Sequence, residues 1–111
     1  MTGLFGPGPG GIPFESHLNH LSDPAKALLL DLRKHVLSLG SNVIEDVRPH
    51  RIVYSKTMNF RIFLDVEPSD DSITLTIRHG RSAPSATVTL KATADLESAK
   101  NQIETAYKNI Q

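Results

Sequence analysis

Among residue types able to do chemistry, the chain offers five histidines, His17, His20, His35, His50 and His79, and no cysteine. Disulfides, zinc–thiolate centres and thiol nucleophiles are thereby excluded. His17 and His20 lie three apart, so one helical turn could present both imidazoles to a metal ion. They lack the HExxH context that turns such a pair into a catalytic zinc site, and no metal is inferred. His50 and His79 stand at expected strand ends beside Arg51 and Arg78. They could assist anion binding, but neither has an evident carboxylate partner. Adjacent Asp70 and Asp71 suit a turn better than paired acid–base work, and no GxSxG nucleophile elbow is present. These residues imply no reaction and no cofactor, and the reading leans away from an enzyme.

The pattern that does suggest a working surface is cationic. From Arg48 to Arg81 there are six Lys or Arg (48, 51, 56, 61, 78, 81) and four acids, three of which crowd into Glu67–Asp71. Strict strand alternation would place Arg51, Val53, Ser55, Arg61, Phe63, Asp65, Thr74, Thr76 and Arg78 on one outer face. Ile52, Tyr54, Phe60, Ile62, Leu64, Val66, Ile73, Leu75 and Ile77 would then face inward. An outward Phe63 flanked by arginines is how single-strand binders stack a base while contacting phosphate. The plainer alternative is that Phe63 only stabilises the sheet by pairing with Val53 and Thr76. Symmetric turns would also set Arg61 opposite Arg78. Such a like-charge pair could be relieved by an anion, by Asp65 reaching diagonally, or by solvent screening. Arg51, Lys56, Arg61, Phe63, Arg78 and Arg81 are therefore the candidate residues for nucleic acid or another anionic partner.

Elements must exist to position those residues. Residues 1–13, MTGLFGPGPGGIP, hold five glycines and three prolines and are expected as a flexible tail. They lack the strand, the helix and the Gly-Lys-Ser/Thr ending of a phosphate-binding loop. Residues 14–111 are expected as one domain. After a short amphipathic lead-in at Phe14–Leu21, Asp23 is a plausible N-cap, Pro24 fits the first helical turn, and Gly40 marks the stop. Ala25, Leu28, Leu29, Leu32, Val36 and Leu39 form one apolar stripe at spacings of three and four, which Leu30 and Leu37 widen. After Gly40 the period changes to two. Strands are expected at Val43–Arg48, Arg51–Lys56, Phe60–Glu67, Ile73–His79 and Ala86–Lys91, joined by short polar turns. Thr93 would cap a last helix burying Leu96, Ala99, Ile103, Ala106, Tyr107 and Ile110. Short connections make neighbouring strands antiparallel. The expected fold is an α+β two-layer sandwich: a four- or five-stranded meander with both helices on one face, in the order α-β-β-β-β-β-α.

Composition sets the remaining bounds. A chain of 111 residues is long enough to bury a core without staples. Twelve Lys plus Arg balance twelve Asp plus Glu, so no overall field attracts polyanions and a nucleic-acid role must rest on a local patch. No apolar run approaches the roughly 20 residues of a membrane span, and the N-terminus lacks a signal-peptide pattern. The default expectation is cytoplasmic, with no membrane partner. The segments SHLNHLSDPAKALLLDLRKHVLSLGSNV, HRIVYSKTMNFRIFLDVEP and TVTLKATADLESAKNQIETAYKNI together resemble a family of small bacterial and archaeal domains of unknown function. Its members occur alone or at the C-terminus of proteins described as restriction-type nucleases or predicted transport proteins. Tyr54, Asn59, Phe60 and Tyr107 match its pattern, while the region after Ile77 is shorter. The resemblance implies the same fold and a loose association with nucleic-acid processing, and no reaction. Two functional expectations follow: a non-catalytic binding domain for an anionic partner, or a protein-interaction or homodimerisation module using the open sheet face or the edge strand Ala86–Lys91.

Overall fold

A computed structural model of the chain describes residues 12–56, 61–79 and 85–110. Residues 1–11 of the expected tail, together with Asn59, Phe60 and Arg81, lie outside the described residues. A 3₁₀ turn at Phe14–His17 precedes helix α1, Asp23–Leu37. Five strands follow, β1 Val43–Val47, β2 Ile52–Lys56, β3 Ile62–Ser69, β4 Ser72–Ile77 and β5 Ala86–Leu90, and then helix α2, Thr93–Asn109. The strands form one antiparallel meander in sequence order, with both helices on the same face, as the alternation and short turns predict.

The helix ends differ in detail from the sequence reading. Ser22, not Asp23, caps α1: its Oγ accepts the Ala25 N–H at 3.4 Å, and Asp23 takes the first helical position, where negative charge suits the dipole. Thr93 is likewise inside α2. Ala92 occupies the cap position and has no oxygen to offer, so Asp95 reaches back instead, accepting the N–H of Lys91 at 2.8 Å and of Ala92 at 3.0 Å. These bonds, that from Lys91 foremost, hold the Asp95 carboxyl below its ordinary range. Leu30 and Leu37, expected to widen the apolar stripe, are 47% and 40% exposed. Each follows a core residue, Leu29 or Val36, and one residue further is about 100° around the helix, outside the sector facing the sheet.

The core joins Leu28, Leu29, Leu32 and Val36 of α1 to Leu96, Ala99, Ile103 and Ala106 of α2 over Ile52, Tyr54, Leu64, Val66, Ile73, Leu75, Ile77 and Leu90 of the sheet. Each buried branched side chain contributes roughly 1.5–3 kcal/mol. The close approach at Gly40 shows how tightly the layers meet. A Cβ there would collide with the Tyr107 hydroxyl, which donates to Asn42 Oδ1, so any larger residue between α1 and β1 would make the ends of the Tyr107 and Asn42 side chains shift.

Strand register departs from strict alternation, and this decides the outer face. In β2–β3 the partners are Val53 with Asp65 and Tyr54 with Leu64, but then Ser55 with Ile62, leaving Phe63 as an extra residue. This is a β-bulge, in which two residues oppose one and successive side chains fall on the same side. Phe63 and Leu64 both enter the core, fully buried, and Ile62 rather than Phe63 joins Ser55 on the outer face. The expectation of an outward Phe63 is thus corrected. In β3–β4 the pairs Ser69–Ser72 and Leu64–Ile77 make Asp70-Asp71 a two-residue turn, so the ladder is offset by two residues from a symmetric four-residue connection. Pro68 is accommodated within β3 because the pairing with β2 reaches only Val66, so its missing N–H is not needed on that side.

Candidate functional site

On the outer face, the two-residue offset replaces the expected Arg61–Arg78 opposition with a carboxylate between two arginines. Asp65 sits between Val53 and Thr76 as their cross-strand partner, and its side chain is 5% exposed. Arg78 donates to Asp65 Oδ2 through Nη2 at 2.8 Å and Nε at 3.2 Å. Arg51 approaches Asp65 Oδ1 at 3.7 Å and Glu67 at 3.6 Å. A charge this buried is tolerated only when paired, and two guanidinium groups supply that pairing. The candidate anion-binding residues therefore scatter. Arg51 and Arg78 share the face but are engaged by acids. Lys56 turns to the helix side, its Nζ donating to the Ile110 carbonyl at 3.4 Å and lying 4.5 Å from the centre of the Tyr107 ring. Arg61 is half-buried just before β3, and Phe63 packs edge-on against Tyr107 with centroids 5.4 Å apart.

A second charged cluster, unmarked in the sequence reading, lies between α1 and the sheet. Glu45 accepts two hydrogen bonds from Arg33 at 2.9 Å and one from the Tyr54 hydroxyl at 2.7 Å. The Arg33 guanidinium also lies 4.0 Å above the Phe14 ring. Burial first, and the Glu45 carboxylate second, raise the Tyr54 hydroxyl pKa far above its ordinary range. The Glu45 bond raises that of Arg33 as well. Both oxygens of Glu45 accept from protein donors, so the cluster joins the 3₁₀ turn, α1, β1 and β2. Its clue in the sequence was the Pro49-His50 turn, about which Glu45 and Tyr54 are symmetric; the structure pairs them.

Histidines occupy two further places. His35 is wedged between the helices with Nε2 3.5 Å from Glu104 Oε2, an ion-pair distance without an aligned hydrogen bond. Burial outweighs Glu104 there and lowers the imidazole pKa below its ordinary value, favouring the neutral ring. At the opposite end of the sheet, the 3₁₀ turn, the β1–β2 turn and the β3–β4 turn enclose a cleft of about 370 Å³ lined by His17, His20, His50 and Asp70. His50, for which the sequence offered no evident carboxylate partner, shares this cleft with Asp70. The Ser22 N–H donates to the Asp70 carbonyl at 2.7 Å, fixing the N-terminus of α1 beside it. Among the described residues, no three His, Asp or Glu side chains are grouped to hold a metal, and no helix is long and apolar enough to cross a membrane.

The last feature is the sheet edge at β5, with which no further described strand pairs. β5 ends the sheet order and carries Ala86, Thr87, Val88, Thr89 and Leu90, without charge, proline or bulge. Strand edges are ordinarily guarded by such devices. The other edge strand, β1, carries Glu45 and Asp46, and its Val47 carbonyl accepts the Ile12 N–H at 3.4 Å. Compared with known family models, curated proteins and solved structures, the chain matches none.

Proposed function

We propose that this chain is a non-catalytic interaction domain that associates through the edge of β5 with a second copy of itself. The observation carrying the reading is the self-complementary pattern of that uncharged edge. A two-fold axis at Val88 would set Ala86 against Leu90, Thr87 against Thr89, and Val88 against its counterpart. Apolar residues would then meet on the helix side and threonine pairs on the other, with no charges opposed. Five residues of strand make a small contact, so association is weak and concentration-dependent. Sedimentation velocity across a concentration series tests it. The wild-type chain should show a monomer–dimer equilibrium insensitive to salt, and the double variant Thr87→Lys/Thr89→Lys, which opposes lysines across the axis, should stay monomeric. A wild-type chain that is monomeric at every concentration refutes the reading.

A second reading, an anionic partner such as nucleic acid, is supported by Arg51 and Arg78. Their side chains keep 42% and 47% exposure while pinned on one side by Asp65, so their outer N–H groups could still meet phosphate. The resemblance to domains attached to nucleases favours the same partner. An amide-shift titration with short single- and double-stranded nucleic acids at low salt should then move residues around Arg51 and Arg78, and weaken steeply with salt. An unmoved face ends this reading.

A further inference from the structure

We infer that the histidine-lined cleft binds a small organic cation, a protonated amine carried on an apolar body. The argument starts from His17, which is 8% exposed and whose Nε2 lies 2.7 Å from the Arg48 carbonyl oxygen. A carbonyl only accepts, so Nε2 carries the hydrogen, and in the neutral ring Nδ1 is left as a lone-pair acceptor. Among the described residues Nδ1 has no hydrogen-bond partner, and it is not one of the side-chain atoms sealed from solvent. His17 is among the residues that line the cleft. The Asp70 carboxylate on the same cleft has no ion pair among the described residues, and neither lysine nor arginine lines the cavity. Among the described residues Asp70 is the one carboxylate that lines it. Two turns thus bring Asp70, which is exposed, and His17, which is nearly buried, to the wall of one cleft. Leu21 and Pro68 supply apolar wall, and a volume of about 370 Å³ is that of a small-molecule site. An ammonium group satisfies Asp70 and His17 Nδ1 at once, its hydrocarbon body lying against the apolar wall. The titratable groups facing the cleft are His17 and His20 from the N-terminal segment, His50 from the β1–β2 turn and Asp70 from the β3–β4 turn.

The test is a titration of the full chain followed by histidine side-chain proton–nitrogen spectra. The probes are 2-phenylethylamine and, as anionic and uncharged counterparts of similar shape, phenylacetate and 2-phenylethanol. The amine should shift the His17 and His50 signals to saturation, and bind more tightly than either counterpart by up to about fivefold, the worth of one partly exposed charge pair. Asp70→Asn should remove that preference while leaving the remaining amide spectrum in place, since the Asp70 bond within the fold is made by its backbone carbonyl. Tighter binding of phenylacetate, an unchanged affinity for the amine in Asp70→Asn, or unmoved histidine signals at the amine's solubility limit would each overturn the proposal.

Discussion

Replacing Phe63 by alanine separates the bulged sheet from a regularly alternating one. In a regular register Phe63 would lie on the outer face, where truncation costs no more than a cross-strand pair, about 0.2–1 kcal/mol. In the structure the ring is fully buried and packs edge-on against Tyr107. Phe→Ala in such a core costs about 3–5 kcal/mol, with the ring pair accounting for about 0.5–1.5 kcal/mol of it. For a domain of this size, at about 4 °C per kcal/mol, the melting temperature should fall by roughly 12–20 °C. Ile62→Ala is the control with the opposite expectation: alternation would put Ile62 in the core, whereas the bulge leaves it half-buried on the outer face. Its cost should stay near 1 kcal/mol, as a partly exposed side chain outside the core cluster. Urea denaturation of the three proteins, read as midpoint shifts at constant slope, gives both numbers. A loss under about 1 kcal/mol for Phe63→Ala, or a larger loss for Ile62→Ala, would refute the bulge.

Two further expectations concern buried titratable groups. Tyr54→Phe leaves Glu45 and Arg33 paired but removes a hydrogen bond to a charged acceptor, and should cost about 1.5–3 kcal/mol in the same denaturation assay. Because the Tyr54 pKa is raised on folding, its contribution is complete below the unfolded tyrosine value near 10 and declines as pH rises above it. The wild-type chain should lose stability over that range, and Tyr54→Phe should lose less. His35 has the opposite sign: its pKa is lowered on folding, so stability is complete above about pH 6.5 and declines as the unfolded chain takes up a proton below it. His35→Gln should flatten that decline in a pH series of thermal melts.

Much of the fold was legible because local rules and tertiary structure agree. The change of period after Gly40, the turn formers between strands and the stripe Leu96–Ala99–Ile103–Ala106 all act over a few residues, and each element forms where they point. The outer face was less legible because it depends on register, which one extra residue reverses. Nothing local distinguishes Phe63 from Ile62 as the inward side chain. That choice follows from Tyr107, 44 positions along the chain, offering its ring to Phe63 (107 − 63 = 44). The two-residue Asp70-Asp71 turn required accepting Pro68 inside a strand, allowed only because β2 ends short of it. Arg33, Glu45 and Tyr54 were individually ordinary, and only the packing of α1 on β1 makes them a cluster.

The placement of α2 also bears on how the chain matures during synthesis. The sheet is complete once Leu90 has been made, and α2, which lies across β3, β4 and β5, comes after it. Until α2 docks, Phe63, Ile73, Ile77 and Leu90 lack their cover from Leu96, Ala99, Ile103 and Ala106. A nascent chain in that interval would present an adhesive apolar face beside an unguarded strand edge, the kind of species that chaperones hold. Docking of α2 is therefore the step that covers this apolar face, while the β5 edge stays open.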